Sequence, residues 1–234
     1  MRIAAIGDLH YRADSTGLLQ HLLPGIEGVA DLLILAGDLT DSGQPAEMQV
    51  LLHDLKEIPL RIIAVLGNHD HESDQAERLA EMLRESGITV LEGNVVEIEN
   101  VGFVGTKGFC GGFDNTLIQP FGERVLKAFI QEGIDEAVQL ENALARLDCE
   151  RKVAVLHYAP IKATLAGESP ELFPMLGCSR LANAVDRHGA DLILHGHAHH
   201  GSPEGRTPRG IPVYNICRFV LNRFTHSAYG VFNV

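Results

Sequence analysis

Seven residues of ligating type stand in five short motifs along this 234-residue chain. They are Asp8 and His10 in D-L-H, Asp38 in G-D, Asn68 in G-N-H-D, a lone His157, and His197 and His199 in G-H-A-H. Mixed imidazole and carboxylate donors suit borderline transition ions such as Mn, Fe, Zn or Ni rather than an all-oxygen Ca or Mg site. Seven donors are too many for one tetrahedral ion. They suit two ions about 3.5–4 Å apart with Asp38 bridging. Two divalent ions, two aspartates and a bridging hydroxide leave roughly one net positive charge, enough to hold a phosphate oxyanion. Asn68 is a neutral ligand and preserves Lewis acidity that a third carboxylate would weaken. Manganese is the first ion to test.

Each motif follows an apolar run, so the elements that position them can be read from the same stretches. RIAAI (2–6), LLILA (32–36), RIIAVL (61–66), KVAVL (152–156) and LIL (192–194) have the length and composition of buried strands. In open α/β sheets, ligand sites lie beyond the carboxyl ends of strands, so five such ends would converge on one crevice. Gly7, Gly37, Gly67 and Gly196 precede the ligating groups and would let the chain turn sharply there. Helical patterns separate the first strands: GLLQHLLPGI, then PAEMQVLLHDLKEI with Pro45 in the first turn, then SDQAERLAEMLRESG with Ser73 as N-cap and Gly87 as stop. This alternation predicts parallel βαβ units. In the middle, VVEIE and VGFVG meet at Asn100 as an antiparallel hairpin, and the glycine-rich GFCGGFDN loop follows, as pocket wall or plain turn. ERVLKAFIQEGIDEAVQLENALARLD is a long helix broken near Gly133, and PVYNIC and YGVFNV are further strands. The segment 163–180 is predicted to roof the pocket. No linker or repeat divides the chain, so one domain over residues 1–234 is expected, with a mixed sheet system.

Composition narrows the partners. A net charge of −12 repels long nucleic acid, whose binding depends on Lys and Arg contacts to phosphates. No apolar run approaches the roughly 18 residues of a membrane span. The apolar stretch after Met1 is shorter than a signal-peptide core of about 7 to 15 residues, and a cytoplasmic protein is expected. Cys110, Cys149, Cys178 and Cys217 are too scattered for a zinc knuckle or a disulfide framework.

The ordered set D-x-H, G-D, G-N-H-D, His, G-H-x-H resembles the calcineurin-like metallophosphoesterases, and it covers almost the whole chain. The resemblance implies an α/β fold, a two-sheet mixed β-sandwich flanked by helices. It also implies a division of ligands: Asp8, His10, Asp38 and His199 around one divalent ion, and Asp38, Asn68, His157 and His197 around the other. His69 would protonate the leaving group, with Asp70 orienting its ring; an imidazole near pKa 6.5 is suited to that task at neutral pH. The activity implied is hydrolysis of a small phosphodiester or phosphomonoester by the bridging hydroxide. A non-catalytic scaffold or metal-binding protein of the same fold is the alternative, disfavoured because the ligand set is complete and His69 is present.

The remaining polar residues near the motifs carry simpler expectations. His195 is a strand-end or supporting residue, His200 faces solvent, and His71 and Asp41 have turn or supporting roles. Arg12 is a surface residue that could meet a substrate phosphate.

Overall fold

A computed structural model describes residues 1–234. Two sheets pack face to face with helices on both outer surfaces. The first has the order β11 (Gly230–Asn233), β1 (Arg2–Ile6), β2 (Leu32–Ala36), β3 (Arg61–Val65), β4 (Thr89–Val90). The second runs β5 (Val95–Ile98), β6 (Val101–Thr106), β7 (Arg151–Leu156), β8 (Leu192–His195), β10 (Pro212–Asn215), β9 (Glu204–Arg206). Within each sheet the inner strands are parallel, and antiparallel strands close three of the four edges, β11 on β1, β5 on β6 and β9 on β10, while β4 closes the fourth in parallel with β3. This is the expected mixed sandwich.

Three layers of core explain why the central strands carry unbroken apolar runs. Ile3, Ile34, Ile63 and Val65 of the first sheet meet Phe103, Val153, Val155 and Leu194 of the second in a layer shared by both. The opposite face of the first sheet packs on Leu19, Met48, Leu51, Leu79 and Leu83 from the helical segments. That of the second packs on Leu140, Leu144, Leu181 and Val185. A strand buried on both faces cannot alternate polar and apolar residues; all five residues of LLILA are buried.

Several local expectations are corrected. The 17–26 pattern forms two short helices, Leu18–Leu22 and Ile26–Val29, because Pro24 cannot continue the first. Ser73 does not cap the following helix, which begins at Ala76; its hydroxyl is drawn away to the Gly43 carbonyl. The long helix, Arg124–Arg146, is continuous through Gly133. Glycine stands there because a Cβ would lie 2.8 Å from the carbonyl oxygen of Cys110. The hairpin turn uses Glu99 and Asn100, both with positive φ, the signature of a two-residue turn. Helices Ser179–His188 and Arg218–Thr225, and strands β4 and β9, were not anticipated.

Candidate metal centre

All seven candidate ligands gather at the carboxyl ends of β1, β2, β3, β7 and β8. Their donor atoms form two clusters with one shared member. Asp8, His10, Asp38 and His199 make one, and Asp38, His157 and His197 the other, with all donor atoms of each within 4.8 Å of one another. Asn68 joins the second, its Oδ1 2.9 Å from His157 Nε2. In the first, His199 Nε2 lies 3.0 Å from Asp8 Oδ1, 3.4 Å from His10 Nε2, and His10 Nε2 3.8 Å from Asp38 Oδ2. In the second, His157 Nε2 is 3.2 Å from Asp38 Oδ1.

Tight backbone packing produces this convergence. Gly37 has φ +78°, and a Cβ on it would strike the His157 ring at 2.3 Å. Gly67 and Gly196 serve closeness rather than turning: a Cβ would lie 2.2 Å from Asp38 Oδ1 at the first and 2.5 Å from Asp8 Oδ2 at the second. Four of the ligands themselves, Asp8, His10, Asp38 and His197, have φ between 48° and 69°. That left-handed region is unfavourable for residues with a Cβ, and such strain clusters at functional sites.

The donor chemistry fits a cation. His157 Nδ1 donates to the Ala36 carbonyl at 3.0 Å, which in the neutral ring leaves the Nε2 lone pair facing two acceptors, Asp38 Oδ1 and Asn68 Oδ1. Three acceptors converging in a buried space require a positive charge between them. Without metal, a proton fills that role. Burial opposes a charged His157, but the Asp38 carboxylate beside it prevails and pushes its pKa up to about 9. Burial likewise works against the charges of Asp8 and Asp38. Bonds and attraction from His199 and His157 hold both below the usual carboxylate range. Desolvation and the neighbouring His157 push His197 down to about 3, and desolvation also lowers His10. The bond to Asp8 and the charge of that carboxylate raise His199 despite its desolvation. A divalent ion binds neutral imidazoles and ionised carboxylates, so loading the centre displaces the protons that His157 and His199 hold without it.

His69 stands beside this cluster. Its ring makes an edge contact with His10, centroids 4.6 Å apart, and its Nδ1 is 2.6 Å from the carbonyl oxygen of Asp41. Its Nε2 has no protein partner and is free to meet a ligand. The expected bond from Asp70 to this ring is not made. Asp70 is fully buried and accepts from the amides of Leu39, Thr40 and Gly67 and from the Thr40 hydroxyl. It clasps the β2 and β3 loops, and Asp41 orients His69 instead. The Asp41 carboxylate also lies 3.5 Å from His10 Nδ1 and 3.8 Å from Arg12 Nε, so its supporting role is substantial, while Arg12 is an exposed rim residue. His195 is buried, with Nδ1 donating to the Gly196 carbonyl and Nε2 accepting from Thr164. His200 is exposed and His71 lies at the surface. The segment 163–180 reaches the site, since the Met175 carbonyl lies 3.4 Å from His197 Nε2. The GFCGGFDN loop carries that segment through bonds from Gly111 to Pro174 and from Gly112 to Gly177.

A helix-flanked two-sheet sandwich thus gathers a His/Asp cluster at its strand ends. Residues 1–201 match the family model of the calcineurin-like phosphoesterases, and the chain belongs to that family. A probable cyclic nucleotide phosphodiesterase of Vesicomyosocius okutanii is 26% identical over 176 residues, covering 72% of this chain and 62% of that protein. Another, of Rhodococcus erythropolis, is 26% identical over 218 residues, covering 90% and 65%. The chain thus spans less than two thirds of the length of these relatives. Among solved structures, the phosphopantetheinyl hydrolase of Mycobacterium tuberculosis superposes with a TM-score of 0.67 at 16% identity, over 98% of this chain and 95% of that one. No helix is long and apolar enough to cross a membrane.

Proposed function

We propose that this protein hydrolyses small phosphoesters at a centre of two divalent transition ions, manganese being the first candidate. The observation that carries this reading is the pair of donor clusters sharing Asp38. Asp8, His10, Asp38 and His199 would hold one ion; Asp38, Asn68, His157 and His197 the other. Ions bound there would supply Lewis acidity toward a phosphoryl oxygen and would activate water as a nucleophile at neutral pH.

The chain's own groups do the rest. Two buried carboxylates within a chain of net charge −12 would repel an anionic ester, so substrate binding depends on the cations those carboxylates recruit. Asn68 ligates without adding negative charge. His157 and His10 are held by Ala36 and Asp41 in orientations that keep a ring nitrogen on the cluster. His69, anchored by Nδ1–H on the Asp41 carbonyl, would in its imidazolium form give the Nε2 proton to the departing ester oxygen and be left as the neutral ring. The names of the two relatives make cyclic nucleotides the first diesters to try, alongside monoesters. A Mn-supplemented panel of p-nitrophenyl phosphate, its bis ester, cyclic nucleotides and phosphorylated metabolites tests the reading. Turnover of at least one class that is abolished by chelation and restored by Mn is expected; no turnover of any member by metal-loaded protein would overturn it.

A further inference from the structure

The final helix begins against the first ligand loop. The amide of Arg218 donates to Gly7 O at 3.1 Å, and its Nε donates to Asp8 O at 2.9 Å. Its guanidinium also lies over the ring of the next residue, Phe219, 4.5 Å from the centroid. This fixes Phe219 beside the candidate ligands, with its ring centroid 4.9 Å from that of His199 and 6.3 Å from that of His10. Yet Phe219 remains 42% exposed. The ring thus stands between the candidate ligands and solvent with an open face available for stacking.

Phe219 also walls a cavity of about 450 Å³ whose lining includes His21, Leu22, Arg218, Asn222 and Tyr229. That size suits a nucleotide-sized organic group. The lining combines an aromatic face for stacking with the Asn222 amide, which can donate to and accept from a heterocycle edge. We propose that this cavity is the subsite for a nucleobase carried by the phosphoester, and that Phe219 is its specificity-determining residue. The phosphoryl group would sit at the ligand cluster and the base would extend past His199 onto Phe219. This rests on the phosphoesterase reading for the phosphate position only.

Because the sequence contains no tryptophan, a Phe219→Trp variant carries a single reporter at the wall of the cavity. Mn-loaded Phe219→Trp protein, titrated with adenosine 5′-monophosphate, should show saturable fluorescence quenching, whereas ribose 5-phosphate and inorganic phosphate should leave the emission nearly unchanged. By calorimetry, Phe219→Ala should weaken adenosine 5′-monophosphate about tenfold, in the range of base–aromatic stacking, with ribose 5-phosphate affinity and metal content at wild-type values. Equal affinity of the nucleotide and the sugar phosphate for wild-type protein would overturn the subsite. So would no measurable nucleotide binding, or equal weakening of both ligands by Phe219→Ala. These readouts need no turnover: base-dependent binding by a protein that hydrolyses nothing would keep the subsite and remove only the hydrolase reading.

Discussion

Asp38 and His157 meet across the interface of the two sheets, Oδ1 of the one 3.2 Å from Nε2 of the other. Asp38 follows β2 and His157 follows β7. The same carboxylate accepts the His69 amide at 2.9 Å and faces His10 on its other oxygen. One buried side chain therefore belongs to both donor clusters and anchors the residue offered as acid.

Asp38→Asn should accordingly lower metal content at both positions, not one. Elemental analysis of Mn-reconstituted protein is expected to fall well below the wild-type ratio, with activity falling in parallel. Wild-type occupancy in the variant would remove Asp38 from the centre.

His69→Ala should keep metal near the wild-type level while slowing turnover about 10²–10⁴-fold, the usual share of general acid catalysis. Esters of p-nitrophenol, whose anion leaves without a proton, should lose least, and alkyl esters most. An equal loss for both, with chemistry rate-limiting, would assign His69 to positioning or charge stabilisation instead.

Asp70→Ala tests the clasp. It strips the partner from three backbone amides and one hydroxyl in a buried setting, and each orphaned donor costs about 1–3 kcal/mol. Urea denaturation should show a loss of at least about 3 kcal/mol. A side chain serving only to orient His69 would leave stability nearly intact.

How much of this the sequence discloses depends on where the information resides. Strands buried on both faces announce themselves as apolar runs, and ligand types at their ends are visible because side chains make the site. The orienting group of His69 is a backbone carbonyl, which leaves no mark on residue type, so only the family resemblance supplied a partner, and it supplied Asp70. Ser73 is a good cap by type, but a tertiary bond to Gly43 claims its hydroxyl. Gly133 looks like a breaker because its close approach to Cys110 exists only in three dimensions. β9 consists of Glu204, Gly205 and Arg206 and pairs with β10 through backbone alone. The helix bearing Phe219 leaves two phenylalanines exposed, Phe219 and Phe224, which obscures an amphipathic pattern.

His195 gives a pH prediction. Desolvation lowers its pKa to about 4, below the ordinary value near 6.5. The unfolded chain takes up a proton between these values and the folded one does not. Stability is therefore full above about pH 6.5 and falls as the pH drops toward 4, by about 3 kcal/mol at most. Denaturation of wild type and His195→Gln at matched pH should show that acid-side slope reduced in the variant; parallel curves would contradict it.

Four candidate ligands sit at positive φ, each at a cost of order 1–3 kcal/mol. A chain released from its chemistry would gain by changing two of them. Glycine at position 10 or 197 of the metal-free protein relaxes the backbone at the loss of a ligand, whereas glycine at 8 or 38 would also strip the acceptor from the partly buried amides of His197 and His69. In a saturation library sorted for thermal endurance under chelation, positions 10 and 197 should be enriched for glycine, whereas the same library sorted for turnover should reject it. The places where the protein is worst designed as a durable object are the places where it is designed to react.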